Sequence, residues 1–344
     1  MIDSCKPRTV KRHQPLVLVT GATGAVGPSV VWALHHAGYP IRTLSLDTIH
    51  PEILPNGVEF LSGDITDSAA TQSAMEGVEV VIHLAALLHS TNPPPTPLEK
   101  YEKINVGGTA NVVKAAVEAG VKRLVFFSTI AVYGNSNNQI LPEDTPAKPD
   151  TFYARTKLAA ERIVLDAKRK DGQSLGVVLR FAAIYGPRVK GNYQRLVHTL
   201  AHRRFVPVGD GSNRRTLIYD RDIGQAALLA AENPEAAGKI YNVSDGQFHT
   251  LNEIIKTICE ALGRTPPRIS LPVGPIRCAI GIFEDAGRII GYQSPISRST
   301  IDKYTEDIAV SSERIEKELG FRPQYDLQSG WRETVQQMRR MGNL

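Results

Sequence analysis

Residues Pro15 to Gly27 read P-L-V-L-V-T-G-A-T-G-A-V-G. Leu16 to Val19 is a short apolar, β-branched run with the length of a buried strand. Gly21, Gly24 and Gly27 follow in a T-G-x-x-G-x-x-G pattern. Ser29 to Ala37 then continues with apolar residues at helical spacing (Val30, Val31, Leu34, Ala37) as far as Gly38, a helix stop. Strand, glycine turn and helix in that order are the setting a dinucleotide-binding turn requires. Gly21 permits the tight turn, Gly24 lets the backbone approach a pyrophosphate, and Gly27 lets the helix pack closely on the strand. Thr23, Ala25 and Val26 complete the turn, and the free N–H groups and positive dipole end of the helix face the phosphates. The alternative is a glycine-rich turn that binds nothing. A bare glycine pattern would leave that open, but the strand before it and the helix after it argue against it.

The chain has 344 residues, too many for a single small core. Its 42% hydrophobic and 22% charged content is ordinary for a soluble globular protein. The formal net charge is +5, part of it in the tail Lys6, Arg8, Lys11 and Arg12. Without a long basic stripe, nucleic acid is not an expected partner. Cys5, Cys259 and Cys278 show no paired spacing, so neither a metal site nor a disulfide framework is expected, which fits a reducing cytoplasm. No secretory apolar region opens the chain. The most apolar later stretch, Val273 to Tyr292, is interrupted by Arg277, Glu284, Asp285 and Arg288. It reads as an amphipathic helix on a partner subunit or on the core, not as a membrane span.

Further along, Ile41 to Leu46 reads as a second strand with Asp47 at its C-terminal end. In this kind of sheet a carboxylate there favours the free 2′-hydroxyl of NAD, whereas an arginine favours the phosphate of NADP. The tip Ser45-Leu46-Asp47 has no basic residue, which leans to NAD, with NADP less expected; Asp47 could also merely start the turn before Pro51. Val58 to Leu61 is a third strand, followed by Ser62-Gly63-Asp64-Ile65. Val78 to Leu84 is a fourth, and it ends in Ala85-Ala86, small residues that leave room for a cofactor across the sheet edge. Asn92 to Pro97 is a proline-rich loop. Glu99 to Ala119 has helical periodicity with Gly107-Gly108 inside it, and Leu124 to Phe127 is a fifth strand before Ser128-Thr129. Strands alternating with helices predict a parallel, doubly wound α/β sheet.

The chemistry lies at Thr129 and at Tyr153-Ala154-Arg155-Thr156-Lys157, which opens a helix through Ala160 and Ile163. Tyr153 and Lys157, four apart, share a helical face. The spacing predicts that the ammonium lowers the phenol's pKa toward working pH. A hydroxyl at the neighbouring strand end can bind the same substrate oxygen. Together these groups form a proton-transfer device for alcohol–ketone interconversion, with a nicotinamide handling the hydride.

The chain resembles the extended short-chain dehydrogenase/reductases, in the branch of nucleotide-sugar epimerases, dehydratases and ketoreductases. The resemblance runs from Val17 to about Met338. It rests on T-G-A-T-G-A-V-G (20–27), G-D-I-T-D (63–67), I-H-L-A-A (82–86), N-V-G-G-T (105–109), F-S-T-I-A-V-Y-G (127–134), Y-A-R-T-K (153–157) and L-R-F-A-A-I-Y-G-P-R (179–188). It implies that Gly21, Thr23, Gly24, Ala25, Val26, Gly27, Asp47, Asp64, Ile65, Leu84, Ala85 and Ala86 line the cofactor, Asp64 and Ile65 flanking its adenine. It also implies that Thr129, Tyr153 and Lys157 are the catalytic Ser/Thr, Tyr and Lys, with Tyr153 and Lys157 also touching the cofactor, and that Asn105 steadies the active-site helix. A Rossmann-type domain over 15–185 and a smaller α/β substrate domain over 186–344, with segments returning to the first, are expected, as is a cytoplasmic homodimer.

V-K-G-N-Y-Q-R-L (189–196), V-G-D-G-S-N-R-R-T-L-I-Y (208–219) and Y-N-V-S-D-G (241–246) look like the substrate segments of enzymes acting on UDP-sugars. By that resemblance Asn192 and Arg215 bind the diphosphate; an arginine fork suits phosphate oxygens whatever the family. Ala183 departs from the pattern, since many members carry an asparagine there that contacts the nucleotide sugar. Three function classes follow: an NAD-dependent UDP-sugar 4-epimerase, a 4-ketoreductase or steroid- or flavanone-type reductase using NAD(P)H, and a non-catalytic NAD-binding regulator. A 4,6-dehydratase is rejected, because the Asp-Glu pair expected after the Thr129 position is Ile130-Ala131.

Overall fold

The computed structural model describes residues 14–47, 53–88, 97–136, 138–289 and 298–344. The basic tail with Cys5, most of the loop Asn92 to Pro97, Pro51 and Tyr292 lie outside the described residues. Seven strands form the central sheet: β1 (Val17–Thr20), β2 (Ile41–Ser45), β3 (Glu59–Ser62), β4 (Val80–His83), β5 (Arg123–Thr129), β6 (Gly176–Phe181) and β7 (Ile240–Val243). Every neighbouring pair is parallel, in the order β7-β6-β5-β4-β1-β2-β3. The direction of winding reverses between β1 and β4. Ligands of such Rossmann-type α/β sheets bind at that crevice, beyond the strands' C-terminal ends.

β1, β4 and β6 are buried along their whole length, as strands covered on both faces must be. Alternation sorts their side chains: Val17 and Val19 enter one core with Val30 and Ile223, Leu18 the other with Val112 and Val164. The helices are α1 (Gly27–His36), α2 (Ser68–Ala74), α3 (Leu98–Tyr101), α4 (Thr109–Ala119), α5 (Phe152–Asp166), α6 (Asn192–Ala201), α7 (Asp222–Glu232), α8 (Leu251–Leu262), α9 (Val273–Ile289), α10 (Arg298–Thr305), α11 (Glu313–Leu319) and α12 (Leu327–Arg340). Gly38 follows α1 with φ +81, the left-handed geometry expected of the predicted stop.

The helix expected over 99–119 is continuous but not uniform. Between α3 and α4 the stretch Glu102–Gly108 is π-helical. Glycine at 108 makes room for the Ile65 side chain, whose Cδ1 would stand 2.5 Å from a Cβ there.

Beyond β6 a third core gathers Tyr185, Tyr219, Ile254 and Ile258 of α8, and the C-terminal Trp331. The Trp331 ring stacks on Tyr185 at 4.3 Å between centroids. Three short strand pairs frame the region: 217–219 beside 183–185, 249–250 antiparallel to 214–215, and 309–310 beside 140–141.

The glycine turn carries a stability prediction. A methyl group at Gly27 would be driven into the backbone of Ala22. Alanine normally stabilises a helix over glycine by about 1 kcal/mol. Gly27→Ala should do the reverse, losing about 1–3 kcal/mol to overpacking. Thermal unfolding should show a lowered Tm, whereas Gly274→Ala in α9, whose Cβ meets nothing, should leave Tm level or higher.

Candidate active site

The site is assembled where β1, β4 and β5 end. Gly21 has φ +73, and a Cβ on it would stand 2.7 Å from the Ala85 nitrogen, so this glycine serves both the turn and the close passage of the strand end after β4. Gly24 is exposed, with its N–H donating to Gly21 O at 3.0 Å. α1 starts with no side-chain cap and no acidic residue in its first turn. An uncapped helix start behind side-chain-free backbone fits a pyrophosphate. Thr23, Ala25 and Val26 lie in this turn, and Leu84, Ala85 and Ala86 are half-buried opposite it.

Asp47 is exposed just past β2. Asp64 accepts the Thr66 N–H through Oδ1 at 2.8 Å, and Ile65 is buried, its carbonyl accepting from Asn111 Nδ2 at 3.0 Å.

Thr129 ends β5, and its hydroxyl accepts the Ala131 N–H at 3.2 Å. Thr151 caps α5 by accepting the Ala154 N–H, which places Tyr153 and Lys157 in the helix's first two turns. Asn105, buried in the π-helical stretch, bonds the Leu87 backbone in both directions (2.7 and 3.1 Å) and donates to Thr156 Oγ1 at 3.1 Å. One side chain thus ties α5, between Tyr153 and Lys157, to the segment after β4.

The charges differ from the expectation drawn from spacing. The Lys157 ammonium lies over the Phe126 ring, 4.0 Å from its centroid. Burial pulls its pKa from 10.5 to about 7, with Glu161 opposing the shift. Burial, followed by Tyr101, pushes the Tyr153 phenol up to about 12. The phenol is therefore not acidified by its helical neighbour in the chain alone: sharing a face brings the two groups to one side of α5, but the amine turns to the aromatic ring.

Several residues of the site carry little signal in the sequence. Glu161, one turn beyond Lys157, is buried and holds Arg180 of β6 through two nitrogens, the Nη2 contact being 2.7 Å; Ser128 Oγ donates to the same carboxylate. The i, i+4 spacing from Lys157 is its one sequence signal. His83 is also buried, between Thr20 (2.6 Å) and Thr109 (3.0 Å), and burial, then Lys157, lowers its pKa to about 3.

Asn192 is the exposed first residue of α6. Arg215 is only 9% exposed and lies in a two-residue strand, not in an exposed turn. Its Nη2 donates to the Lys303 and Tyr304 carbonyls at 2.7 and 2.9 Å, and its Nη1 has no hydrogen-bond partner among the described residues. Arg214 beside it is committed to Asp307. Among the described residues no cluster of His, Cys, Asp and Glu could hold a metal.

The NAD dependent epimerase/dehydratase family signature matches residues 17–244. UDP-glucose 4-epimerase of Vibrio cholerae is 29% identical over 93% of this chain and 94% of its own. N-acetyl-alpha-D-glucosaminyl-diphospho-ditrans,octacis-undecaprenol 4-epimerase of Escherichia coli O157:H7 is also 29% identical, over 93% of this chain and 94% of its own. The structure of MoeE5 with UDP-glucuronic acid and NAD superposes with a TM-score of 0.74 at 26% identity, covering 94% of this chain and 99% of that one.

The buried amine makes stability pH-dependent. Between about pH 7 and 10.5 the folded chain binds fewer protons at Lys157 than the unfolded chain does, so this group's contribution becomes more favourable as pH rises. Lys157→Met removes the cost of burying an ammonium. Its gain in stability over the parent should be largest at and below pH 7 and shrink toward pH 10, as read from denaturation at each pH. A gain independent of pH would mean that Lys157 is charged to the same extent in both states.

Proposed function

The chain belongs to the NAD dependent epimerase/dehydratase family, and from that premise we propose that it inverts C4 of a UDP-linked sugar through a transient 4-keto sugar. The observation that carries the reading is that Thr129 ends β5 while Tyr153 and Lys157 open α5, near a glycine turn that leads into an uncapped helix. Gly21 to Gly27 would hold the cofactor's pyrophosphate, Asp47 its ribose, and Ala85 and Ala86 would leave room for its body. When bound, NAD would supply the chemistry of accepting the hydride from the sugar C4–H bond and returning it to the other face. Tyr153 takes the C4 hydroxyl proton and gives it back, Thr129 hydrogen-bonds the same oxygen, and Lys157, which in the chain alone lies over Phe126, favours the phenolate only once bound cofactor and substrate bring its charge to Tyr153. Asn105 holds α5 in place, and Asn192 and Arg215 bind the substrate diphosphate.

A second reading keeps the reaction and changes the carrier. The Escherichia coli relative is named for a sugar on diphospho-undecaprenol. Ala183 suits a ketoreductase or steroid-type reductase and is also compatible with a carrier of that kind, because the side chain expected to touch a nucleotide sugar is missing while Arg215 remains.

Tyr153→Phe keeps the ring but removes the proton acceptor. It should leave fold and NAD binding nearly intact and cut kcat by roughly 10²–10⁴-fold, measured as interconversion of a UDP-hexose and its 4-epimer; wild-type turnover in this variant would sink the mechanism. Arg215→Ala should weaken substrate binding by about 1.5–3 kcal/mol, read as a raised KM.

A further inference from the structure

α9 turns an apolar stripe to solvent. Pro275, Cys278, Ala279, Ile282 and Phe283 stand at i, i+3, i+4, i+7 and i+8, and all are exposed. Ile282 is 65% and Phe283 72% exposed, as is Ile269 just before the helix at 73%. The opposite side of α9 is occupied: Gly281 is buried against the Arg298 guanidinium of α10, and Val273 lies against Gly209. A continuous apolar stripe left in water marks a docking surface.

The surrounding charge indicates what docks. The sequence from Arg264 to Lys303 carries six basic and three acidic residues, so three of the chain's five net positive charges fall on this segment. Arg277 pairs with Asp302, Arg298 with Asp285 and Lys303 with Asp150, which leaves Arg264 and Arg268, close in sequence to Ile269, as cations with no carboxylate partner among the described residues. A second copy packed on the stripe about a two-fold axis would set this excess against itself. An anionic bilayer complements it, and an amphipathic helix with cations beside an apolar face lies in the plane of such a surface. No helix among the described residues is long and apolar enough to cross a membrane.

We infer that α9 docks the enzyme on an anionic bilayer surface, with Ile269, Ile282 and Phe283 in the interfacial layer. The same unit reaches the candidate substrate site, because the Lys303 and Tyr304 carbonyls at the end of α10 hold Arg215. On the second, lipid-carrier reading of the site, the diphosphate that reaches Arg215 would be carried by a lipid in that surface; the docking itself does not depend on that reading.

The test is flotation of the purified protein with phosphatidylcholine vesicles and with phosphatidylcholine–phosphatidylglycerol vesicles. The wild type should float with the anionic vesicles and less so as salt is raised. Ile282→Ser with Phe283→Ser should reduce flotation at least about tenfold, with Tm and turnover of a soluble UDP-sugar unchanged; Phe283→Ser alone is the milder variant should the double one fold poorly. Wild type that stays unbound to both vesicles, or a variant that floats equally, overturns the proposal. So does a wild-type dimer that the variant converts to a monomer in light scattering, which would assign the stripe to a second copy. Flotation without turnover of either a UDP-linked or a polyprenyl-diphosphate-linked sugar would leave the docking intact and refute the epimerase reading; turnover without flotation would do the opposite.

Discussion

A chain of hydrogen bonds through the buried His83 joins the two halves of the site. Thr109 Oγ1 donates to the Asn105 carbonyl at 2.7 Å, so it can only accept from His83, which must carry its proton on Nε2. Nδ1 then accepts from Thr20, whose oxygen accepts the Ala85 N–H at 3.3 Å. The direction of every bond follows from one hydroxyl having one proton. The chain requires a neutral ring, and the burial that lowers the His83 pKa secures it. Thr20 directly precedes the glycine turn, and Asn105 carries the linkage on to Thr156 in α5. The glycine turn and α5 are thus held by one buried polar chain, strong only because every member is satisfied.

A second buried device sits behind Lys157. The Glu161–Arg180 pair ties α5 to β6, Ser128 brings in β5, and the Arg180 guanidinium lies over the Tyr133 ring at 4.8 Å. Tyr133 continues to Asn242 of β7 at 2.8 Å. Pairs this deep add little net stability, because desolvation offsets their attraction. Their effect is geometric, since losing either partner would strand a charge. Glu161 also opposes the burial that would strip Lys157 of its proton, so the same carboxylate serves position and charge.

What can be read from the sequence is local. The glycine turn, the small residues after β4, the hydroxyl ending β5 and the Tyr153–Lys157 spacing all lie within a few residues of the element that presents them. His83 is visible only as part of a strand, since periodicity records burial and not partners. Arg180 and Ser128 are far along the chain from Glu161, so nothing in the spacing can couple them. Helical spacing puts Tyr153 and Lys157 on one side of α5 and misses their charges, because burial, which the spacing does not record, shifts both. For α9 the pattern gives an amphipathic helix but not which of its faces the rest of the chain covers.

The strand order has a consequence for biosynthesis. β6 is interior in the finished sheet, and its outer neighbour is β7, roughly sixty residues later in the chain. At about 5–20 residues per second, a ribosome needs several seconds to make that interval. For that time the nascent sheet ends in β6, a parallel edge with unpaired backbone groups and side chains that are all buried once folding is complete. The interval between those two strands is when a newborn chain is most exposed to mispairing with its neighbours on a polysome.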